Sequence, residues 1–181
     1  MEESSFLNPT KVIRAAGVHE GMQVADFGAG SGFFTRTAAR SVGESGVVWA
    51  VDLQRDLLPR IKNLAAAEGL HNVEVVYGDI SHEGGSNLPA EKVDFVIAAN
   101  VLFMTEHKQE ALREIARVLK VGGHALIIDW TNSHGGLGPH PEHVITLSAA
   151  KILFEKNGFT VLHETPAGAY HWGFVVRKKM Q

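Results

Sequence analysis

The stretch VADFGAGSGFF, Val24 to Phe34, joins a short apolar run to a loop of three closely spaced glycines. The apolar run is typical of a buried strand, and Gly28, Gly30 and Gly32 follow it. Glycine lets a backbone turn tightly and lets a ligand approach without a Cβ in the way. The free N–H groups at the start of a following helix favour phosphate or carboxylate. We therefore expect this loop to hold an anionic part of a nucleotide-like cofactor.

Strand-like and helix-like segments alternate along the rest of the chain. Strands are predicted at Gln23–Phe27, 47–51, Val73–Tyr77, Val93–Ala99, 124–130, 160–164 and 171–177. Helices are predicted after Asn8-Pro9, at about 31–41, from Asp56 to Gly69, at 107–120 and at 143–157. Helices that connect successive strands require right-handed crossovers and hence a parallel sheet covered on both faces. The last two strands are too close in sequence for such a crossover and predict a hairpin. The expected fold is α/β: a doubly wound three-layer sandwich with a mostly parallel seven-stranded sheet and an antiparallel C-terminal hairpin strand.

The composition narrows the possible partners and chemistry. The 181 residues suit a single domain, 1–181, and a net charge of −3 gives no reason to expect a nucleic-acid partner. Because the chain has no cysteine, disulfide, thiolate and zinc-thiolate chemistry is excluded. It has neither an apolar run of ~20 residues nor a basic, apolar leader, so we expect no membrane span and a cytoplasmic location. The oligomeric state stays open between monomer and homodimer.

The spacing of the glycines argues against a dinucleotide. The fingerprint G-x-G-x-x-G requires a third glycine where this chain has Phe33, whose bulk would prevent close packing of helix on strand. A Walker loop requires Gly-Lys-Ser/Thr, which does not follow. An NAD(P)-dependent oxidoreductase on a related sheet therefore stays an alternative that Phe33 disfavours.

Asp26 to Gly32, read as D-x-G-x-G-x-G, resembles motif I of class I S-adenosylmethionine-dependent methyltransferases. Four further segments resemble that family in the same order: Val51-Asp52, Gly78-Asp79-Ile80, the run VDFVI at 93–97 and the turn LKVGG at 119–123. The segment YHWGF at 170–174 resembles the small single-domain type that includes quinone-biosynthesis methyltransferases. The resemblance implies S-adenosylmethionine as cofactor, S-adenosylhomocysteine as product, and in-line SN2 attack on the sulfonium methyl by a small-molecule acceptor. A non-catalytic S-adenosylmethionine-binding module is a second alternative.

The resemblance also implies a set of cofactor-binding residues. They are Asp26, Gly28, Ala29, Gly30, Gly32, Asp52, Leu53, Gly78, Asp79, Ile80 and Asn100. Asp26 and the Asn100 carbonyl would serve the ammonium of the cofactor, and Asp52 would bind the ribose. Asp79 and the Ile80 N–H would contact the adenine.

Several of these assignments have a structural alternative. Asp52 as a helix cap or surface acid, Asp79 as the cap of a turn, and Leu53 as ordinary packing are each compatible with the sequence.

The acceptor side is less well determined. Residues 1–20 are expected to form a helical lid, and 131–142 a flexible loop on the substrate side. The segment Ala99-Asn100-Val101-Leu102 departs from the Asn/Asp-Pro-Pro-Tyr/Phe motif of enzymes that methylate amides or adenine amines, which argues against those substrates. Glu106 and Asp129 are the nearest carboxylates for a basic amine.

Four histidines raise two further possibilities. His134 and His171 are candidates for a catalytic base, because imidazole titrates near neutral pH. Together with His140 and His143 they could bind a transition metal, but Pro141 interrupts the helical spacing that such a site would use. No metal is predicted.

Overall fold

The computed structural model describes residues 6–134 and 137–180 and contains a seven-stranded sheet. The strands are β1 Gln23–Phe27, β2 Val47–Asp52, β3 Val73–Tyr77, β4 Val93–Ala99, β5 Leu119–Trp130, β6 Phe159–Glu164 and β7 His171–Lys178. The helices are α1 Pro9–Ala15, α2 Phe33–Val42, α3 Leu57–Ala67, α4 Lys108–Val118 and α5 Leu147–Lys156, with a 3-10 turn at Pro141–His143. The five predicted helices and seven predicted strands are all present.

The strand order is β3-β2-β1-β4-β5-β7-β6. Strands β1 to β5 pair in parallel, and β7 is antiparallel to both β5 and β6. The predicted α/β fold with an antiparallel C-terminal hairpin is confirmed. Because β1 lies between β2 and β4, the chain reverses its direction of winding there. Ligands of open parallel sheets bind at the carboxyl ends of the strands at such a switch point.

Two apolar clusters cover the two faces of the sheet. One cluster contains buried residues of α1, α2 and α3, and the other contains buried residues of α4 and α5. Every β1 residue from Val24 to Phe27 is buried, as expected of a strand covered on both faces. Among the described residues, no helix is long and apolar enough to cross a membrane.

Two helices begin later in the chain than predicted, one because of a backbone conformation and the other because of a side-chain cap. The helix predicted from Ser31 begins at Phe33, because Gly32 takes a left-handed conformation with φ 74°. The helix predicted at 143–157 begins at Leu147, where the Thr146 side chain accepts a hydrogen bond from the Ala149 N–H. These caps fix the entry of the chain into each helix.

Candidate active site

The glycine loop follows β1 at the carboxyl end of the sheet. Gly28 and Gly30 have φ values of 70° and 54°, which favour glycine. A Cβ on Gly28 would lie 2.6 Å from Cγ2 of Val101, whereas a Cβ on Gly30 would meet nothing closer than 3.8 Å. Gly28 is therefore required by packing, and Gly30 leaves open space beside the backbone.

Two cavities flank this loop and meet at Gly28, Gly30 and Met104. We call them the aromatic cavity, of about 600 Å³, and the Asp52 cavity, of about 430 Å³. The aromatic cavity is lined by Leu7, Pro9, Asp26, Gly28, Ala29, Gly30, Ser31, Phe33, Phe34, Ala99, Asn100, Phe103, Met104 and Trp130. The combined volume of the two cavities suits a nucleoside-bearing cofactor beside a small second molecule.

Ten of the eleven predicted cofactor-binding residues line one or both cavities. Asp26, Gly28, Ala29, Gly30 and Asn100 line the aromatic cavity. The Asp52 cavity adds Asp52, Leu53, Gly78, Asp79 and Ile80. Gly32 is the exception. It is the N-cap residue that precedes α2, and a Cβ there would lie 3.1 Å from the Ile61 side chain, so its role is structural.

Asp52 ties the end of β2 to the glycine loop. It is 6% exposed; its Oδ2 accepts from the Gly30 N–H and its Oδ1 from the Gln54 N–H, each at 2.8 Å. The position before α3 is taken by Asp56, so Asp52 is neither a surface acid nor that helix's cap. Each carboxylate oxygen keeps a lone pair with which it can accept a ribose hydroxyl.

Asp79 caps a turn at the wall of the Asp52 cavity. Its Oδ1 accepts from the Ser81 N–H at 2.9 Å and from the Ser81 hydroxyl at 2.6 Å. These bonds from Ser81 lower the pKa of Asp79, so the carboxylate is ionised at neutral pH. The turn-capping alternative is thus realised, and adenine recognition by Asp79 stays a prediction.

Asn100 carries a strained backbone directly after β4. Its φ of 59° lies in the left-handed region, which is uncommon for residues other than glycine. Its side-chain Oδ1 is buried without a hydrogen-bond partner in residues 6–134 and 137–180. A buried acceptor without a partner beside a cavity suits a ligand that brings a donor, such as the ammonium of S-adenosylmethionine. The family resemblance implied that the backbone carbonyl of Asn100 accepts from the ammonium. The buried side-chain Oδ1 is a second candidate acceptor for the same group.

Asp26 is a buried carboxylate at the inner end of the aromatic cavity. It is 2% exposed and accepts a hydrogen bond from the Thr35 hydroxyl at 2.6 Å. The pKa of Asp26 is raised to about 7: burial is the main cause, hydrogen bonds from Thr35 lower the pKa, and the charge of Asp52 adds to the increase. Thr35 was not predicted; its only sequence signal is its position in the first turn of the helix that follows the glycine loop.

Asp26→Asn tests this raised pKa through protein stability. Because the folded protein holds the Asp26 proton up to about pH 7 and the unfolded chain loses it near pH 3.8, the wild-type free energy of unfolding should lose this contribution as pH rises through that window. Asparagine mimics the protonated acid, so the stability of the variant relative to wild type should rise over the window by roughly 4 kcal/mol, at about 1.4 kcal/mol for each pKa unit of difference. Urea denaturation of both proteins from pH 4 to pH 8 measures the difference.

Asp129→Asn is the matched control for this experiment. Asp129 is also buried, and burial raises its pKa to about 6. The difference in the free energy of unfolding between Asp129→Asn and wild type should therefore level off at a pH about one unit lower than the corresponding difference for Asp26→Asn. A stability difference for Asp26→Asn that is independent of pH would contradict the raised pKa.

Asp129 anchors the loop after β4. Its Oδ2 accepts from the Phe103 N–H at 3.0 Å and its Oδ1 from the Trp130 N–H at 2.8 Å. Both oxygens are thus used within the protein, and Asp129 does not line the aromatic cavity. Glu106, the other carboxylate considered for a basic amine, lines the Asp52 cavity.

The two histidines predicted as bases, His134 and His171, do not line the aromatic cavity. The His171 ring packs 4.3 Å from the ring of Trp130, and neither nitrogen of His171 has a hydrogen-bond partner within the described part of the chain. Burial lowers the pKa of His171, and His134 lowers it further. His134 Nε2 lies 3.1 Å from the Thr131 hydroxyl. Neither histidine is among the described residues that line the cavity, and a catalytic role for them stays a prediction.

The other two histidines pair locally. His140 Nδ1 lies 3.1 Å from a carboxylate oxygen of Glu142, and the rings of His140 and His143 are 6.3 Å apart. Over residues 6–134 and 137–180, no group of three or more histidine, aspartate or glutamate side chains could hold a metal ion. Residues 135–136 of the predicted substrate-side loop, and residues 1–5 of the predicted lid, lie outside the described residues. Leu7 and Pro9, which belong to the predicted lid, line the aromatic cavity.

Comparison with known proteins places this site in a family. The methyltransferase domain family matches residues 18–162. The chain therefore belongs to the methyltransferase-domain family.

The most informative relatives agree with this placement. The chain is 32% identical over 157 residues to a ubiquinone/menaquinone biosynthesis C-methyltransferase UbiE of Bordetella parapertussis, covering 84% of this chain and 59% of the relative. It is 32% identical over 167 residues to an arsenite methyltransferase of Halobacterium salinarum, covering 83% of this chain and 40% of the relative. The chain thus spans about half the length of these relatives.

A solved structure extends the likeness over nearly the whole chain. A SAM-dependent methyltransferase from Aquifex aeolicus is 30% identical, with a TM-score of 0.86 and coverage of 96% of this chain and 91% of that one. The predicted seven-stranded methyltransferase fold and the predicted S-adenosylmethionine cofactor are confirmed.

Proposed function

We propose that this chain transfers the methyl group of S-adenosylmethionine to a small, uncharged aromatic acceptor. The observation that carries the proposal is that the Asp52 cavity adjoins the aromatic cavity, which is lined by aromatic side chains. The first suits the adenosine end of the cofactor, and the second suits an apolar molecule next to the glycine loop.

The lining of the aromatic cavity supports this acceptor class. Phe34, Phe103, Met104 and Trp130 offer apolar surface, and Asp26 is the one titratable side chain among the described lining residues. Because Asp26 is buried beside the predicted ammonium site, no free carboxylate is left there to hold a cationic acceptor. An aromatic ring packs favourably against such side chains.

The absence of cysteine argues against a soft metalloid acceptor. Arsenic(III) is a soft centre, and soft centres prefer thiolate ligands. This chain contains no cysteine, so it cannot supply them. The likeness to an arsenite methyltransferase therefore supports the family and its cofactor, and not arsenite as the acceptor.

The proposed mechanism relies on positioning. The cofactor supplies a methyl group already activated on a sulfonium, so the protein has to hold an acceptor atom in line with it. The aromatic cavity would orient the acceptor and exclude water, while Asp52 and Asn100 would fix the cofactor. Asp26, which lines the aromatic cavity, would face the ammonium of the cofactor.

Calorimetry and product release test the proposal together. We expect S-adenosylhomocysteine to bind tightly and NAD(P) not to bind. In a panel of phenols, quinols and indoles set against aliphatic amines, only aromatic acceptors should release S-adenosylhomocysteine from S-adenosylmethionine. NAD(P) binding alone would favour the oxidoreductase, and cofactor binding with no turnover on any acceptor would favour the non-catalytic module. A cytoplasmic location, a single domain and the oligomeric state stay predictions.

Trp130→Ala tests the aromatic wall. Trp130 lines the aromatic cavity but not the Asp52 cavity, so its loss should raise KM for an active aromatic acceptor about tenfold, a typical value for one aromatic contact. The Kd of S-adenosylhomocysteine should stay within about twofold. Trp49→Ala, which removes a β2 indole packed under Lys92, is the matched control and should change neither value. An equal rise in both constants for Trp130→Ala would place Trp130 at the cofactor instead.

A further inference from the structure

A buried ion pair on α4 lies outside both cavities. Glu114 has 0% exposure, although carboxylates are almost never fully buried unless paired. Arg117, one turn further along, donates from Nε to Oε2 and from Nη2 to Oε1, each at 2.7 Å. Burial raises the pKa of Glu114, but hydrogen bonds from Arg117 and Ser86 outweigh it and hold the pKa below its usual value. The carboxylate is therefore ionised.

The remaining donors to Glu114 come from one loop. Its oxygens accept from the Gly84 N–H at 2.6 Å, the Ser86 N–H at 3.1 Å and the Ser86 hydroxyl. Arg117 Nη2 also donates to the Leu88 carbonyl at 2.6 Å. The Glu114–Arg117 pair thus forms hydrogen bonds with three residues of the loop 84–88, namely Gly84, Ser86 and Leu88.

The loop 84–88 packs against Gly78 and Asp79, which line the Asp52 cavity. The Gly85 carbonyl accepts from the Asp79 N–H at 2.8 Å. A Cβ on Gly78 would lie 2.8 Å from the carbonyl oxygens of both Gly85 and Ser86, so the two backbones are in direct contact. A shift of the loop would move Gly78 and Asp79 with it.

We propose that Glu114, paired with Arg117, is a positioning residue for the adenosine end of the cofactor site. It acts through the loop 84–88, which holds Gly78 and Asp79 at the wall of the Asp52 cavity. The proposal rests on the proposed function, because it assigns that cavity to adenosine. Because residues 84–88 do not line the aromatic cavity, the proposal also predicts that removing the Glu114–Arg117 pair leaves the affinity for the acceptor unchanged.

Glu114→Gln is the main test. Glutamine keeps the length of the side chain, removes the charge that Arg117 pairs with, and turns an NH₂ group towards the loop N–H donors. We expect the Kd of both S-adenosylhomocysteine and 5′-methylthioadenosine to rise about tenfold, which lies within the range of couplings between residues of one hydrogen-bond network, with KM for the acceptor unchanged. Calorimetry far below the unfolding temperature measures folded protein only.

Two further variants keep the test decisive. Ser86→Ala removes one loop bond to Glu114 and should raise both Kd values about threefold, even if Glu114→Gln does not fold. Asp94→Asn is the matched control, because Asp94 also accepts from a backbone N–H, that of Gln23 at 2.8 Å, and from Lys120 Nζ at 2.7 Å. It should lower the unfolding temperature and leave both Kd values within about twofold.

The outcomes separate this inference from the proposed function. Wild-type binding of both probes, with unchanged Kd values in folded Glu114→Gln and Ser86→Ala, overturns the positioning role alone. An affinity loss in Asp94→Asn as large as that in Glu114→Gln also overturns it, since the effect would then follow stability. Wild-type protein that binds neither probe overturns the proposed function and this inference together.

Discussion

Replacing Asp52 by alanine is expected to weaken S-adenosylhomocysteine binding about a hundredfold, or about 3 kcal/mol. Two effects add. The proposed hydrogen bonds from the ribose hydroxyls to the Asp52 carboxylate are lost. The Gly30 N–H, which donates to Asp52 Oδ2 at 2.8 Å, also loses its partner, so the glycine loop is less well fixed between the two cavities. Isothermal calorimetry at pH 7.5 measures the change.

Two further substitutions separate these effects. Asp52→Asn keeps an acceptor oxygen and should recover part of the affinity, because hydrogen bonds to a neutral acceptor are weaker than those to a charged one. Asp56→Ala removes an exposed carboxylate four residues along that makes no side-chain capping bond, and it should leave the Kd unchanged. If Asp52→Ala binds S-adenosylhomocysteine as tightly as wild type does, the ribose assignment is wrong.

The positions of the strands along the chain and the cofactor class could be predicted because they depend on local signals. The runs Gln23–Phe27 and Val93–Ala99 were placed to the residue, since both are short, apolar and bounded by turn residues. The hairpin of β6 and β7 followed from the short connection between them. Helix starts were less accurate, because Gly32 and Thr146 set them through backbone conformation and a side-chain cap, which apolar periodicity does not reveal.

The site was predictable where a residue acts through its own position in the chain. Asp52 and Gly30 stand at the ends of predicted elements, and the sheet brings those ends together. Glu114 acts from a different element across the fold, and nothing in its local sequence distinguishes it from a solvent-exposed helical glutamate. Likewise, Asp129 faces the Phe103 N–H instead of a substrate, which depends on the path of the loop after β4. Such contacts between distant segments require coordinates.

Gly28→Ala is expected to lower the free energy of unfolding by about 3 kcal/mol. A left-handed φ of 70° costs an alanine about 1 kcal/mol, and the new Cβ would lie 2.6 Å from Cγ2 of Val101. Val101 is 4% exposed and β-branched, so its side chain cannot rotate away freely, and overpacking of this kind costs about 1–3 kcal/mol. For a chain of this length the unfolding temperature should fall by roughly 10 °C.

Gly30→Ala separates the steric part of this cost from the conformational part. Gly30 has a similar φ of 54°, but its added Cβ would meet nothing closer than 3.8 Å, so its variant should lose only about 1 kcal/mol. Shortening Val101 to alanine in the Gly28→Ala background should recover about 1–2 kcal/mol relative to the sum of the single changes, as expected for residues in direct contact. Urea denaturation of the four variants measures this coupling. If Gly28→Ala costs no more than Gly30→Ala, the loop does not pack against Val101 as described, and Gly28 serves only the approach of the cofactor.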